Sequence, residues 1–254
     1  MSELRAQRRS AVQLAREATV GFGITFPEEQ QRPPSIMGSG VAVAAGGVIL
    51  TARHVVLDVE AEVMKARRIG RPADAVVIIL ASAQFHILEG QNGEESRQLN
   101  LEYTVGRIET SWVSPEHDIA VVKTAGEALP RRRMPLNGGL APWEGDPVAT
   151  CGWPYGTQLH PGGMPLSSFL LGSVSAVVPH PEMEARSRLH YLMQLPVNPG
   201  NSGGGAFDPD TGEVFGVVSS RLAPGGIPTG LSIIIPAYHA EPVVAGMADT
   251  PATE

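Results

Sequence analysis

Apolar residues in this chain come in short runs broken by glycine, proline and polar clusters. The interval is about a dozen residues, the spacing of a strand-rich sandwich or barrel. "TVGFGITF" (19–26) is the first such run, closed by Pro27 and a polar segment ending at Pro33–Pro34. "GSGVAVAAGGVILTARHVV" (38–56) predicts a hairpin: one apolar strand turns at Gly46–Gly47 into Val48–Thr51, and a break follows at Ala52–His54. Further strands are predicted in "AVVIILA" (75–81), "LNLEYTVGRIETSWV" (99–113) and "HDIAVVK" (117–123), with "EGQNGEESRQ" (89–98) as a polar loop. After a proline-containing stretch come "PVATCGW", "SSFLLGSVSAVVP", "LHYLMQLPV", "GEVFGVVSS" and "GLSIIIPA".

Helical spacing is rarer. Residues Ser2–Ala18 carry Leu4, Ala11, Val12, Leu14, Ala15 and Ala18 as one apolar stripe, predicting an amphipathic helix. The basic piece Val59–Arg71 reads as helix or loop. Helices and strands do not alternate, which excludes a parallel α/β sheet. The pattern therefore predicts an all-β chain of two strand series. The linker between them (124–147) holds the basic triplet Arg131–Arg133, Pro135 and Pro142, and the triplet reads as a solvated face.

Composition narrows the picture. Of 254 residues, 43% are hydrophobic and 18% charged, enough for a sizeable core and against disorder. Glycine (29) and proline (22) are abundant, as many turns require. A net charge of -7 disfavours nucleic acid and anionic membrane surfaces as partners. Cys151 is the single cysteine, so no intrachain disulfide is available. The N-terminus is basic (Arg5, Arg8, Arg9), but Arg16 and Glu17 interrupt any apolar core, unlike a signal peptide. No run approaches the roughly 18 apolar residues of a membrane span. A cytoplasmic protein is the expectation.

Candidate chemistry centres on Asn198–Gly205, "NPGNSGGG". Its glycines let the backbone turn sharply and approach a ligand, exposing the Ser202 hydroxyl. Such a cluster is more often a plain surface turn, so upstream partners decide. A hydroxyl becomes a nucleophile only beside a base, and that base needs a third group to orient it. His54 stands where an apolar strand ends. Asp118 heads the strand "IAVVK", where an unpaired carboxylate would cost several kcal/mol and an imidazole partner would relieve it. His86, His117, His160, His180, His190 and His239 have no ligand spacing with one another or with Cys151, so no metal is expected. Neither Asp58 nor Asp74 opens an "IAVV"-like strand.

In order, these segments resemble the trypsin-like serine peptidases, and among them the bacterial HtrA/DegP-type protease domain. The segments are "GSGVAVAAGGVILTARHVV", "HDIAVVK", "VATCGWPYG", "LLGSVSAVV", "NPGNSGGG" and "GEVFGVVSS…GLSIIIPA". The match runs from about residue 20 to 238, and His…Asp…Ser is the chymotrypsin order. The resemblance implies two six-stranded antiparallel β-barrels with the site in the cleft between them. The expected layout is a single domain with an N-terminal helix or extension at 1–18, the first barrel at about 19–123, the linker at 124–147, the second barrel at about 148–238 and a tail at 239–254.

It also implies His54 as general base, Asp118 as orienting carboxylate and Ser202 as nucleophile. Gly200 and Ser202 would donate oxyanion-hole N–H groups, with Asn201 between them, and Ser219 falls beside the triad carboxylate. Pro196 would floor the specificity pocket, with Val218, Ser219, Ser220, Arg221 and Leu231 around it. No carboxylate is among them, which implies cleavage after small or medium aliphatic residues. Protein or peptide substrates, an activating partner and no cofactor complete the expectation. Against the family's pattern, the expectation is of no PDZ-like segment after the second barrel and no leader, with Arg53 before the histidine and Arg221 at the pocket rim. The reading from a different class is a catalytically silent or partner-activated peptide-binding scaffold on the same fold.

Overall fold

The computed structural model describes residues 2–28, 34–89, 95–125, 130, 132–140, 142–156, 167–178, 190–227 and 229–249. Part of the polar run at 89–98, Arg131, His160 and His180 lie outside the described residues. Two closed antiparallel barrels of six strands each make up the body. The first is built from β1 (Thr19–Thr25), β2 (Ser35–Ala44), β3 (Val48–Thr51), β4 (Asp74–Glu89), β5 (Glu95–Val113) and β6 (Ala120–Ala125). The second comprises β7 (Pro147–Gly152), β8 (Ser168–Val178), β9 (His190–Gln194), β10 (Gly205–Phe207), β11 (Val214–Arg221) and β12 (Leu231–Pro236). Neighbour order is β1-β2-β3-β6-β5-β4 in one and β10-β11-β12-β9-β8-β7 in the other.

The strands nearest the cleft read as unbroken apolar runs because both of their faces are buried. Along β3, Ile49 points into the first barrel while Val48 and Leu50 point into a core between the barrels. Ala120 and Val122 likewise face inward, and Ile119 and Val121 face the interface. From the second barrel, Phe215 and Val218 fill the interior while Val214 and Val217 meet the first barrel. The shared core includes Ala15 and Ala18 of α1 (Ser2–Ala18), the helix that the apolar stripe predicts. It also includes Val244 of α3 (Glu241–Asp249), a helix at the end of the chain. The segment after residue 238, which sequence treats as a tail, thus packs as a helix.

Two further expectations need correction. The break at Ala52–His54 opens a helix, α2 (Arg53–Arg68), which takes in most of the piece read as helix or loop. Val55 and Val56 look like a strand because they are β-branched, yet Val55, Val56, Val59, Val63 and Ala66 share one buried helical face. That face covers the open end of the first barrel beside Val20, Phe22 and Ile49. Glu89 and residues 95–98, at the two ends of the polar run, belong to strands, because the β4–β5 ladder continues to the Glu89–Glu95 pair. Ladder hydrogen bonds need no apolar side chains, so a polar run does not announce them. Among the described residues no helix is long and apolar enough to cross a membrane.

Candidate active site

His54 stands on the first turn of α2, three residues beyond the end of β3. Asp118 lies in an irregular turn just ahead of β6. The two meet through two hydrogen bonds. The His54 ring lies with Nδ1 2.8 Å from Asp118 Oδ2, and the His54 backbone N–H donates to Oδ1 at 2.9 Å. Ser219, on β11 of the second barrel, donates its hydroxyl to Oδ2 at 2.5 Å. One carboxylate therefore holds the imidazole and reaches across to the other barrel.

The electrostatics follow from that arrangement. The hydrogen bond to Asp118 raises the His54 pKa above its ordinary 6.5, against desolvation, which works to lower it. Burial alone would raise the Asp118 carboxyl. The hydrogen bonds from His54 and Ser219 outweigh that, and it sits below its usual range. The exposed Asp58 adds a weaker field favouring protonated His54.

Ser202 sits on the glycine loop, and steric demands explain the glycines. Gly200 has φ +95°, and a Cβ there would come 2.3 Å from the Trp153 carbonyl oxygen. Gly203 has φ +84°, and its Cβ would fall 2.1 Å from the Ser39 carbonyl and 2.2 Å from Thr51 Oγ1. No L side chain fits either place. The Asn201 N–H closes the turn onto the Asn198 carbonyl at 2.9 Å. Asn201, which sequence puts between the two expected oxyanion donors, thus has its one backbone proton engaged. Among the described residues the N–H groups of Gly200 and Ser202 find no acceptor.

The Ser202 hydroxyl donates to the Ser219 carbonyl at 3.0 Å. Among the described residues it makes no hydrogen bond to His54. Ser219 thus touches both halves, its side chain on Asp118 and its carbonyl on Ser202.

The residues expected around a pocket differ in exposure. Pro196 is exposed on the surface, six positions before Ser202. Val218 is fully buried among the second-barrel core residues, which leaves only its main chain toward the cleft. A register shift between Val218 and Ser220 follows, with Ser219 buried and Ser220 and Arg221 exposed. Leu231 is half-buried. Arg53 points elsewhere, donating to the Pro115 carbonyl at 2.9 Å.

Sequence reasoning missed Ser39. It is completely buried in β2 of the first barrel, yet it supports the Ser202 loop of the second. Its N–H donates to the Ser202 carbonyl (2.7 Å) and its hydroxyl to the Gly200 carbonyl (2.6 Å), while the same oxygen accepts the Trp153 N–H (2.8 Å). The available signal was a lone polar residue between two glycines in an otherwise apolar strand. Tyr155 was also missed. It has φ +53°, uncommon outside glycine, and its N–H donates to the Pro199 carbonyl at 2.6 Å.

Comparison with known proteins bears on the family and the fold. The family model of the trypsin-like peptidase domain matches residues 38–217. A probable periplasmic serine endoprotease, DegP-like, of Ectopseudomonas mendocina is 27% identical over 211 residues, covering 83% of this chain and 35% of the relative. The protein of the same name from Chlamydia trachomatis is 25% identical over 233 residues, covering 88% and 36%. The chain thus spans about a third of the length of these curated relatives. The HtrA-type protease AlgW with tripeptide superposes with a TM-score of 0.60 at 23% identity, over 95% of this chain and 64% of that one. The serine endoprotease from Yersinia pestis gives 0.59 at 23%, over 95% and 66%. At such identity the structural likeness establishes the fold. One expectation is overturned: the relatives are named periplasmic, so the cytoplasmic location does not stand. The charge pattern of the first residues carries no decisive information about compartment.

Proposed function

Because the chain belongs to the trypsin-like peptidase family, we propose that it is a serine endopeptidase of the HtrA/DegP type acting outside the cytoplasm through His54, Asp118 and Ser202. The observation that carries this reading is the bonded His54–Asp118 pair brought, through Ser219, to the serine of the glycine loop. In the reaction Ser202 Oγ turns from the Ser219 carbonyl to His54. It attacks the scissile carbonyl carbon while its proton passes to His54 Nε2. The new oxyanion takes the N–H groups of Gly200 and Ser202. His54 then returns the proton to the leaving amine, the C–N bond breaks, and an acyl-enzyme remains for water to hydrolyse. Asp118 keeps the ring oriented and balances its transient charge.

The cleft segments Val218–Arg221 and Leu231 carry no carboxylate, which favours small or medium aliphatic side chains next to the cut bond. Discrimination would be modest, since one methylene in an apolar pocket is worth about 1–3 kcal/mol. A second reading, a partner-activated or silent peptide-binding module, has one observation in its favour: the Ser202 hydroxyl rests on Ser219 and not on His54. Labelling with a fluorophosphonate probe separates them. The enzyme reading expects wild type to be labelled at Ser202 and to cleave an unstructured protein. Ser202→Ala should be unlabelled and about 10⁶-fold slower. Equal cleavage by both proteins would refute the mechanism.

A further inference from the structure

The Asp118 turn is fastened at more points than its bond to His54 requires. Within it, the Ser114 hydroxyl accepts the N–H groups of Glu116 (3.4 Å) and His117 (3.1 Å). The Ile119 N–H donates to the His117 carbonyl at 2.9 Å, bracketing Asp118, and the Ser114 N–H donates to the Ile119 carbonyl at 3.1 Å. On one flank Arg53 holds the Pro115 carbonyl. On the other, the His117 ring stacks on His239 with centroids 3.6 Å apart and planes 27° apart. His239 belongs to the short turn Ala237–His239 after β12, so this contact joins the first barrel to the end of the second.

We propose that His117 and His239 are positioning residues, a stacked clasp that sets the angle of Asp118 against His54. The proposal rests on the reading of Asp118 as the orienting carboxylate. The mechanical link is short. His117 precedes Asp118, and its carbonyl is bonded around Asp118 to Ile119, so rotation of the His117 unit turns the carboxylate with it.

His239 is suited to stack as a neutral ring. Its Nε2 is buried with no hydrogen-bond partner among the described residues. Desolvation, and secondarily the charge of His117, push its pKa down to about 4. Among the described residues, the ionisable groups at the clasp include Glu116, with Oε2 3.8 Å from His117 Nε2, Asp118 itself, and Tyr238, whose ring lies 4.1 Å from that of His239. Glu241, at the start of α3, lies beside Gly138.

The test is an NMR titration of the His54 ring in the full chain, with kcat and KM on a peptide substrate measured alongside. His239→Ala should lower the His54 pKa toward its ordinary 6.5 and reduce kcat about tenfold with KM little changed, the signature of misplacement. His239→Phe keeps a planar ring and should restore both values. His239→Leu fills the space without a flat face and should behave like the alanine variant, which covers the case where alanine unfolds. An unchanged His54 pKa in both the Ala and Leu variants overturns the clasp, and so does a Phe variant as impaired as they are. If the wild type cleaves nothing, the peptidase reading fails while the titration still decides the clasp.

Discussion

In the first barrel the candidate machinery is held by side-chain hydrogen bonds. Asp118 takes two from His54 and one from Ser219, and its turn is anchored by Ser114 and Arg53. In the second barrel the Ser202 loop is held by main-chain shape: Gly200 and Gly203 lie in backbone regions closed to other residues, and both are packed against carbonyl oxygens. Loop carbonyls accept from Ser39 and Tyr155, and the Gly203 N–H donates to the Val218 carbonyl. The difference suits the tasks. A base and its carboxylate need a fixed protonation geometry, which polar side chains supply. An oxyanion site needs two backbone N–H groups left free, which only an unusual backbone path provides.

The contrast can be broken from the first-barrel side with Asp118→Asn, and this is the largest effect expected beyond loss of the nucleophile. Backbone and volume are retained, but the amide stabilises the wrong tautomer and no imidazolium charge, so kcat should fall about 10⁴-fold. The pH profile sharpens the test. Only neutral His54 accepts a proton, and its pKa is raised by Asp118, so wild-type activity should rise with pH through a midpoint above 6.5. In the Asn variant that midpoint should move down toward 6.5. An unmoved midpoint would remove His54 from the role of base.

From the second-barrel side the corresponding change is Gly200→Ala. Its Cβ would push the loop from the Trp153 carbonyl and misdirect a donor N–H, lowering kcat by about 10²–10³-fold. Labelling by fluorophosphonate should slow in parallel, while His54 titrates as in wild type. A shifted His54 pKa here would mean that the two halves are not held independently.

Ser39→Ala carries the smallest effect and probes the link between the halves. The Gly200 carbonyl and Trp153 N–H would each lose a buried partner, costing about 1–3 kcal/mol of folding stability. Denaturant unfolding would report that loss, and a variant as stable as wild type would show that Ser39 does not support the loop.

Much of this protein is written locally. Runs buried on both faces announce the strands of the cleft, and the apolar stripe of Ser2–Ala18 announces α1 at its observed limits. The glycines flanking Ser202 follow from turn chemistry, and His54, Asp118 and Ser202 stand out by residue type within recognisable segments. What local pattern could not decide depends on partners far away in the chain. His54 begins a helix because a valine face has a barrel end to cover, and the strand-like valines conceal that. Ser39 meets Gly200 across 161 positions, Trp153 meets Ser39 across 114, and Ser219 meets Asp118 across 101. The stacking of His117 on His239 and the direction of the Ser202 hydroxyl belong to the same group. Side-chain types and turn residues act over a few positions, so sequence determines which groups are available. Hydrogen bonds between barrels exist only after both have closed, so the tertiary structure alone decides which of those groups meet.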